Sequence, residues 1–245
     1  MTRLSMRDFL AILAILAAGG LFLGAGCGGG DDDGAAGDGG GEPGSCGFES
    51  DDYLPYQPGF SWTYQITDLV SGERETKEQH LEPEMEDPEF GTVLTQITGK
   101  LNGTTVSLVR KEGDRVLRFT QEDRDASDAL EKTTTYEPAQ IRIDESAERT
   151  MEGAEWDEEY TETIDDPVNG TTVIPTVDHW TVLGVDEPCE AAEGSGLGTF
   201  SCIRLRRTRT MGGIAEKEFH FARGVGKVKE IGANQLEELS GCAAE

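Results

Sequence analysis

The stretch Phe60-Ser61-Trp62-Thr63-Tyr64-Gln65-Ile66-Thr67 decides the fold of this chain. Apolar and aromatic side chains stand at every second position, and small polar side chains stand between them. Successive side chains of a β-strand point to opposite faces, so a period of two predicts a strand with one buried face. Pro58-Gly59, directly before the stretch, is typical of a turn. The pattern therefore predicts a folded region built on β-strands.

Further segments rich in β-forming residues follow, separated by turn residues about every ten positions. Asn102-Gly103 and Asn169-Gly170 are typical of tight hairpin turns, and we prefer this interpretation to N-glycosylation of the two Asn-Gly-Thr sites. The predicted strands are 93–98, 106–109, 116–121, 141–143, 156–163, 171–183, 201–206, 219–221 and a last one near Val228. The chain is therefore predicted to be mainly β.

Only two segments have a helix-like composition, residues 125–132 and residues 233–239, and each predicts a short helix. We find no linker that would divide residues 46–242. This region is predicted to be a single antiparallel β-domain, in the form of a curved sheet, a half-barrel or a sandwich.

The first 26 residues have the features of an export signal. Arg3 and Arg7 give a positive start, an uncharged apolar run extends over residues 9–26, and small residues precede Cys27. The segment Leu23-Gly24-Ala25-Gly26-Cys27 resembles the lipobox of bacterial lipoprotein precursors, except that Gly24 stands where that family prefers Leu. The resemblance implies cleavage between Gly26 and Cys27 and a diacylglycerol on the Cys27 sulfur. The alternatives are an uncleaved membrane-spanning anchor and a soluble secreted protein.

Residues 27–45 are rich in Gly and Asp and have no apolar periodicity, so they predict a flexible tether between the signal peptide (1–26) and the β-domain. The formal net charge of the chain is −27, from 21 Lys and Arg against 48 Asp and Glu. A surface this acidic repels phosphate backbones, which excludes nucleic acid as an expected partner. The expected partner is a membrane, reached through the lipid on Cys27.

Four cysteines remain when Cys27 is set aside. In an oxidising compartment they allow three pairings. Cys46 and Cys242 bracket the predicted domain, and Cys189 and Cys202 flank one Gly-rich loop, so we favour the pairs Cys46–Cys242 and Cys189–Cys202. A metal site is the rival interpretation, although no Cys-x-x-Cys pair is present. We expect no metal and no cofactor.

Residues with catalytic chemistry are scattered. His80, His179 and His220 are the three histidines, and each is interpreted as an ordinary strand residue. Residues 155–162 hold five carboxylates beside Trp156 and are interpreted as a charged strand face, with a glycan-binding or cation-binding edge as the alternative. The basic cluster at residues 204–209 is expected to pair with acidic neighbouring strands, with an anion-binding patch as the alternative. No catalytic residue is predicted.

Three segments together resemble a broad group of exported bacterial β-domains, many of them lipoproteins. They are residues 53–64, with Pro58-Gly59-Phe60-Ser61-Trp62-Thr63-Tyr64, then residues 198–205, then residues 221–229, with Gly224-Val225-Gly226-Lys227-Val228-Lys229. The resemblance implies a curved antiparallel sheet, comparable with the half-barrels of lipoprotein carriers. It implies no catalytic residue.

The expected function is that of a lipid-anchored cell-envelope protein, in the outer membrane, with a non-enzymatic binding or structural role. Trp62 and Tyr64 are candidate lining residues for an apolar ligand on the concave face of the sheet, and the alternative is that both fill the core. An envelope hydrolase that uses paired carboxylates is a second hypothesis. A cell-surface adhesin or assembly subunit is a third.

Overall fold

A computed structural model describes residue 46, residues 48–210 and residues 214–244 of the 245-residue chain. The predicted signal peptide, its cleavage site between Gly26 and Cys27, the lipidated Cys27 and the tether lie outside the described residues. Thirteen strands follow one another in chain order: β1 (Phe60–Asp68), β2 (Arg74–Leu81), β3 (Met85–Asp87), β4 (Gly91–Lys100), β5 (Gly103–Glu112), β6 (Arg115–Asp125), β7 (Leu130–Asp144), β8 (Glu155–Asp166), β9 (Gly170–Glu190), β10 (Thr199–Thr210), β11 (Ile214–Ala222), β12 (Gly226–Ile231) and β13 (Gln235–Ala244).

All strand pairings are antiparallel, and they close the sheet on itself. The order is β2-β1-β13-β12-β11-β10-β9-β8-β7-β6-β5-β4-β3, and an additional β2–β4 pairing joins the two sides. Twelve strands therefore form a ring, and the short β3 lies beside β4. The prediction of a mainly β, single antiparallel domain is confirmed, and the form that the sheet takes is a closed ring.

Antiparallel pairing sorts the loops between the two ends of the ring. The loops after β1, β4, β6, β8 and β12 lie at one end, which we call the hairpin end. The opposite end, the disulfide end, holds Cys189 at the close of β9, Cys202 at the start of β10 and Cys242 near the close of β13. Disulfides join Cys46 to Cys242 and Cys189 to Cys202, with Cα–Cα distances of 5.4 and 6.0 Å, and these are the pairs that the sequence favours.

The interior is packed from the alternating face of each strand. In β1 the side chains of Phe60, Trp62, Tyr64 and Ile66 are buried and the residues between them are partly exposed, as the period of two predicts. The segment before β1 also packs inward, since the ring of Phe48 stacks on Phe60 with centroids 3.9 Å apart. The backbone amides of residues 53 and 54 donate hydrogen bonds of 2.9 Å to the Glu145 carboxylate, which anchors this segment at the disulfide end.

Both predicted helices are wrong. Residues 125–132 form the turn after β6 and the start of β7, and residues 233–239 form the turn after β12 and the first half of β13. β2 and most of β13 had no clear signal in the sequence. Both are polar strands whose place is fixed by pairing on two sides, β2 with β1 and β4, and β13 with β1 and β12.

Candidate functional site

The buried face of the ring changes from apolar to charged along the strands. In β8 it runs from Trp156 through Glu158 and Tyr160 to Glu162, towards the hairpin end. In β10 it runs from Leu205 to Arg207 and then Arg209, in the same direction. The interior near the hairpin end therefore contains a layer of charged groups. Proteins bury charged groups only when these are paired or hydrogen-bonded, so each of them needs a partner.

One cluster of this layer is built around Asp178, which is fully buried. Arg209 donates two hydrogen bonds of 2.7 Å to its carboxylate, and the Tyr160 hydroxyl donates a third of 2.9 Å. A further Arg209 nitrogen donates to Glu162 at 3.2 Å. Burial opposes the charge on Arg209, but these carboxylates outweigh it and raise the pKa of the guanidinium. The fork geometry of arginine fixes the positions of β8, β9 and β10 relative to one another.

A second cluster alternates lysines and glutamates. Lys227 donates to Glu230 at 2.6 Å and to Glu237, Lys77 also donates to Glu237, and Lys217 donates to Glu230 at 2.6 Å. Burial and repulsion from Lys227 lower the pKa of Lys77 to about 7. Burial also opposes the charge of Lys227, but Glu230 and Glu237 raise its pKa overall. The ammonium groups of Lys77 and Lys227 both lie over the ring of Tyr64, at 4.7 and 4.9 Å from its centroid.

Glu158 is the one buried carboxyl group of the acidic segment 155–162 that has no cation beside it in the described part of the chain. Its Oε1 accepts a hydrogen bond of 3.2 Å from Trp156, and its Oε2 has no hydrogen-bond partner among the described residues. Burial, with the neighbouring charges of Asp178 and Asp144, raises the pKa of Glu158 to about 8. The sequence interpretation of this segment as a charged strand face is therefore correct for Glu155, Asp157 and Glu159, which are exposed, and wrong for Glu158 and Glu162.

A small cavity lies between the apolar and charged parts of the interior. Its wall includes the cations Arg142, Arg207 and Lys227, together with Tyr56, Tyr64 and Trp180. The space open to the centre of a water molecule is about 30 Å³. One water needs roughly 10–15 Å³ by this measure, so the cavity has room for about two waters or one small ion. We call it the interior cavity.

The two aromatic residues predicted to line a ligand site are in different surroundings. Tyr64 lines the interior cavity and is 1% exposed. Trp62 is equally buried, but its indole donates a hydrogen bond of 2.6 Å to the Val225 carbonyl, and its ring packs against Phe48 and Phe60. The interior cavity beside Tyr64 has room for a small ion.

The three histidines are separated from one another, and each contacts one carboxylate. His80 lies 3.0 Å from Glu82, His179 lies 2.7 Å from Asp157, and His220 lies 2.8 Å from Glu218. Burial lowers the pKa of His220, although Glu218 partly offsets the effect. His220 points away from the face of Phe219 and Phe221, as its place between them in the strand predicts.

The basic cluster of β10 is divided between the two faces of the strand. Arg204 pairs with Glu187 at 2.7 Å and with Glu218 at 3.2 Å, as expected for a cation beside acidic neighbouring strands. Arg207 and Arg209 point inward, where Arg207 lies over the rings of Trp180 and Phe219. The sequence spacing separates the two faces, but only the strand register shows which face is buried.

In residues 46, 48–210 and 214–244 no group of three or more His, Cys, Asp or Glu side chains is placed to hold a metal ion. The same residues contain no helix long and apolar enough to cross a membrane.

No protein-family model matches this chain, and no curated protein matches it. Two solved structures share the fold. A Bacteroides fragilis protein, described as exported and as having a YmcC-like fold, is 11% identical, with a TM-score of 0.51 over 77% of this chain and 97% of that one. A Parabacteroides distasonis protein described as a lipoprotein is 9% identical, with a TM-score of 0.50 over 79% of this chain and 99% of that one. At these identities the likeness concerns the fold alone.

Proposed function

We propose that this protein is a lipoprotein of a bacterial cell envelope, anchored through Cys27. The observation that carries the proposal is that the other four cysteines pair with one another in two disulfides. Cys27, which directly follows the predicted export signal, is the one cysteine that these two pairs do not use. Disulfides belong to oxidising compartments outside the cytoplasm. The fold is shared with one protein described as exported and one described as a lipoprotein, which supports the same assignment.

Metabolic labelling with a fatty acid tests the anchor. The full chain, its Cys27→Ala variant and a Cys46→Ala/Cys242→Ala control are expressed in a bacterium that processes lipoproteins. We expect wild type and the control to incorporate label and Cys27→Ala to incorporate none, because the diacylglycerol is attached to that sulfur. Equal labelling of wild type and Cys27→Ala would overturn the proposal. Sucrose-gradient separation of the labelled membranes then tests the outer-membrane location, which Gly28 and Gly29 after the cysteine favour over inner-membrane retention.

For the β-domain we propose a non-enzymatic binding or structural role. The support is a closed sheet whose buried charged groups pair across neighbouring strands and so hold the strands together. The rival hydrolase would need two carboxyl groups on either side of a cleft. Strand register places Glu158 opposite Asp178, but Asp178 is bound by Arg209 and Tyr160, and neither carboxyl group lines the interior cavity.

An adhesin or assembly role is the second candidate, and one observation favours it. Exposed large apolar side chains are concentrated at the hairpin end, where Val70, Leu101 and Val168 are 80%, 76% and 89% exposed. Scattered apolar side chains are normal on a protein surface, but a group at one end is typical of an interaction surface. Co-purification from detergent-solubilised membranes tests this candidate. We expect a partner to be recovered with wild type and lost with the triple Ser substitution at these positions; equal recovery would exclude this end as the contact.

A further inference from the structure

The interior cavity concentrates positive charge in a strongly acidic protein. The chain has 21 Lys and Arg against 48 Asp and Glu, and three of these cations converge on a space of about 30 Å³. Their neighbours in the wall are aromatic rings, the side chain of Leu54 and the neutral amide of Gln79, and none of these carries a negative charge. Burying like charges together is unfavourable unless an opposite charge is present.

Irregularities in two strands bring Arg142 and Lys227 to the cavity. In the β6–β7 ladder Val116 pairs with Ile143 and Leu117 pairs with Ile141, so Arg142 is the extra residue of a bulge. In the β11–β12 ladder the register shifts in the same way beside Lys227. A bulge redirects a side chain that would otherwise follow the alternation of the strand, and bulges are frequent next to functional sites.

The partners of the three cations differ. Lys227 is neutralised by Glu230 and Glu237. The nearest carboxylate oxygen to Arg207 is that of Asp178 at 3.9 Å, which is beyond hydrogen-bond distance, and Asp178 is already bound by Arg209. The buried Nε of Arg207 has no hydrogen-bond partner among the described residues.

The side chain of Arg142, which is half-buried, makes neither a hydrogen bond nor an ion pair with any residue that the structure describes, although it lines the cavity. Arg118 lies close enough to Arg142 for the two positive charges to repel each other. The buried Nε of Arg118 also has no hydrogen-bond partner among the described residues. A guanidinium group presents several N–H donors in one plane, and these match a single anion better than separate waters.

We propose that the interior cavity is a binding site for one small anion, a halide or a small oxyanion, held by Arg142 and Arg207. The anion accepts hydrogen bonds from the two guanidinium groups. It neutralises the positive charge of the cavity that the carboxylates of the interior do not balance. The size of the cavity limits the ligand to a single small ion. The proposal does not depend on the lipid anchor or on the role of the hairpin end.

Thermal unfolding of the full chain in non-ionic detergent tests the site, at constant ionic strength. Sodium gluconate, whose anion is too large for the cavity, is replaced stepwise by sodium chloride, bromide, nitrate or phosphate. A ligand that binds only the folded state raises Tm with the logarithm of its concentration above Kd, by about 5 °C at a hundredfold excess over Kd. We expect at least one of these anions to do so for wild type.

Arg142→Gln removes the charge at the bulge and should abolish the rise in Tm. Arg206→Gln, on the opposite face of β10 from Arg207, is the matched control and should keep it. Equal responses of wild type and Arg142→Gln would overturn the proposal, as would the absence of a response to all four anions.

Crystals of wild type grown in bromide give a test that needs no variant. We expect an anomalous peak within about 3.5 Å of guanidinium nitrogens of Arg142 and Arg207. A cavity that holds water only would overturn the proposal.

Discussion

At the scale of single residues, the unusual feature is charge on the buried face of the strands. The sequence shows Glu158 and Glu162 in the same alternation phase as Trp156 and Tyr160, which is the phase that β8 buries. That alternation could be predicted, but the partners could not, because Arg209 reaches Glu162 from β10 across the intervening strand. A single strand contains no information on which cation the register will bring opposite its acids.

Glu158 gives a prediction for the pH dependence of stability. Its carboxyl group holds a proton up to about pH 8 in the folded state, whereas the ordinary pKa of a glutamate is 4.5. The native state therefore binds more protons between these values, and the contribution of Glu158 to stability is lost as the pH rises from 4.5 to 8. Glu158→Gln should remove this loss and stabilise the protein at pH 8 by about 3–5 kcal/mol relative to wild type. Urea unfolding at a series of pH values measures the difference.

The control for this prediction is Glu159→Gln, on the exposed face of the same strand. It should leave the dependence of unfolding free energy on pH as it is in wild type. A Glu158→Gln protein whose stability falls between pH 5 and 8 as steeply as that of wild type would contradict the assignment of a buried, protonated carboxyl group.

At the scale of elements, turn chemistry and alternation predicted more than composition did. β1 and the two Asn-Gly hairpins were predicted because short-range geometry decides them. Residues 125–132 failed because Asp125 turns the chain, since its carboxylate accepts hydrogen bonds from the amides of Ser127 and Ala129, and Asp128 has a φ of 66°. Residues 233–239 failed because pairing with β1 and β12 overrides a weak local preference.

The two Asn-Gly hairpins should respond differently to the same substitution. Gly103 has a φ of 145°, and an added Cβ would lie 2.0 Å from the Arg124 carbonyl oxygen of the neighbouring strand. Gly170 has a φ of 79° with nothing within 4 Å. Gly170→Ala should therefore cost only the strain of positive φ, about 1 kcal/mol, and Gly103→Ala should cost about 3 kcal/mol or more, because β5 and β6 must separate. Chemical denaturation of the two variants compares these costs; equal losses would mean that the close approach at Gly103 is not a constraint.

At the scale of the whole molecule, the ring is closed both by hydrogen bonds and by a covalent link. The β1–β13 ladder joins the first and last strands of the domain, and the Cys46–Cys242 disulfide joins the chain segments beyond it, 196 residues apart in sequence. The Cys189–Cys202 disulfide spans only 13 residues. The number and place of the cysteines predicted both pairs, whereas closure of the ring depends on the β2–β4 pairing, which has no local signal in the sequence.

The two disulfides should therefore affect the unfolded state unequally. In the chain-entropy description a loop of about 196 residues contributes about 5 kcal/mol and one of about 13 residues about 3 kcal/mol, so Cys46→Ala/Cys242→Ala should lower the unfolding free energy more than Cys189→Ala/Cys202→Ala. The slope of free energy against urea separates this entropy effect from lost packing. Removing the long link lets the unfolded chain expand and expose more surface, so that slope should rise for the Cys46 and Cys242 pair and stay near the wild-type value for the other pair. Equal slopes in both variants would mean that the long disulfide acts through contacts in the folded ring, and not through restriction of the unfolded chain.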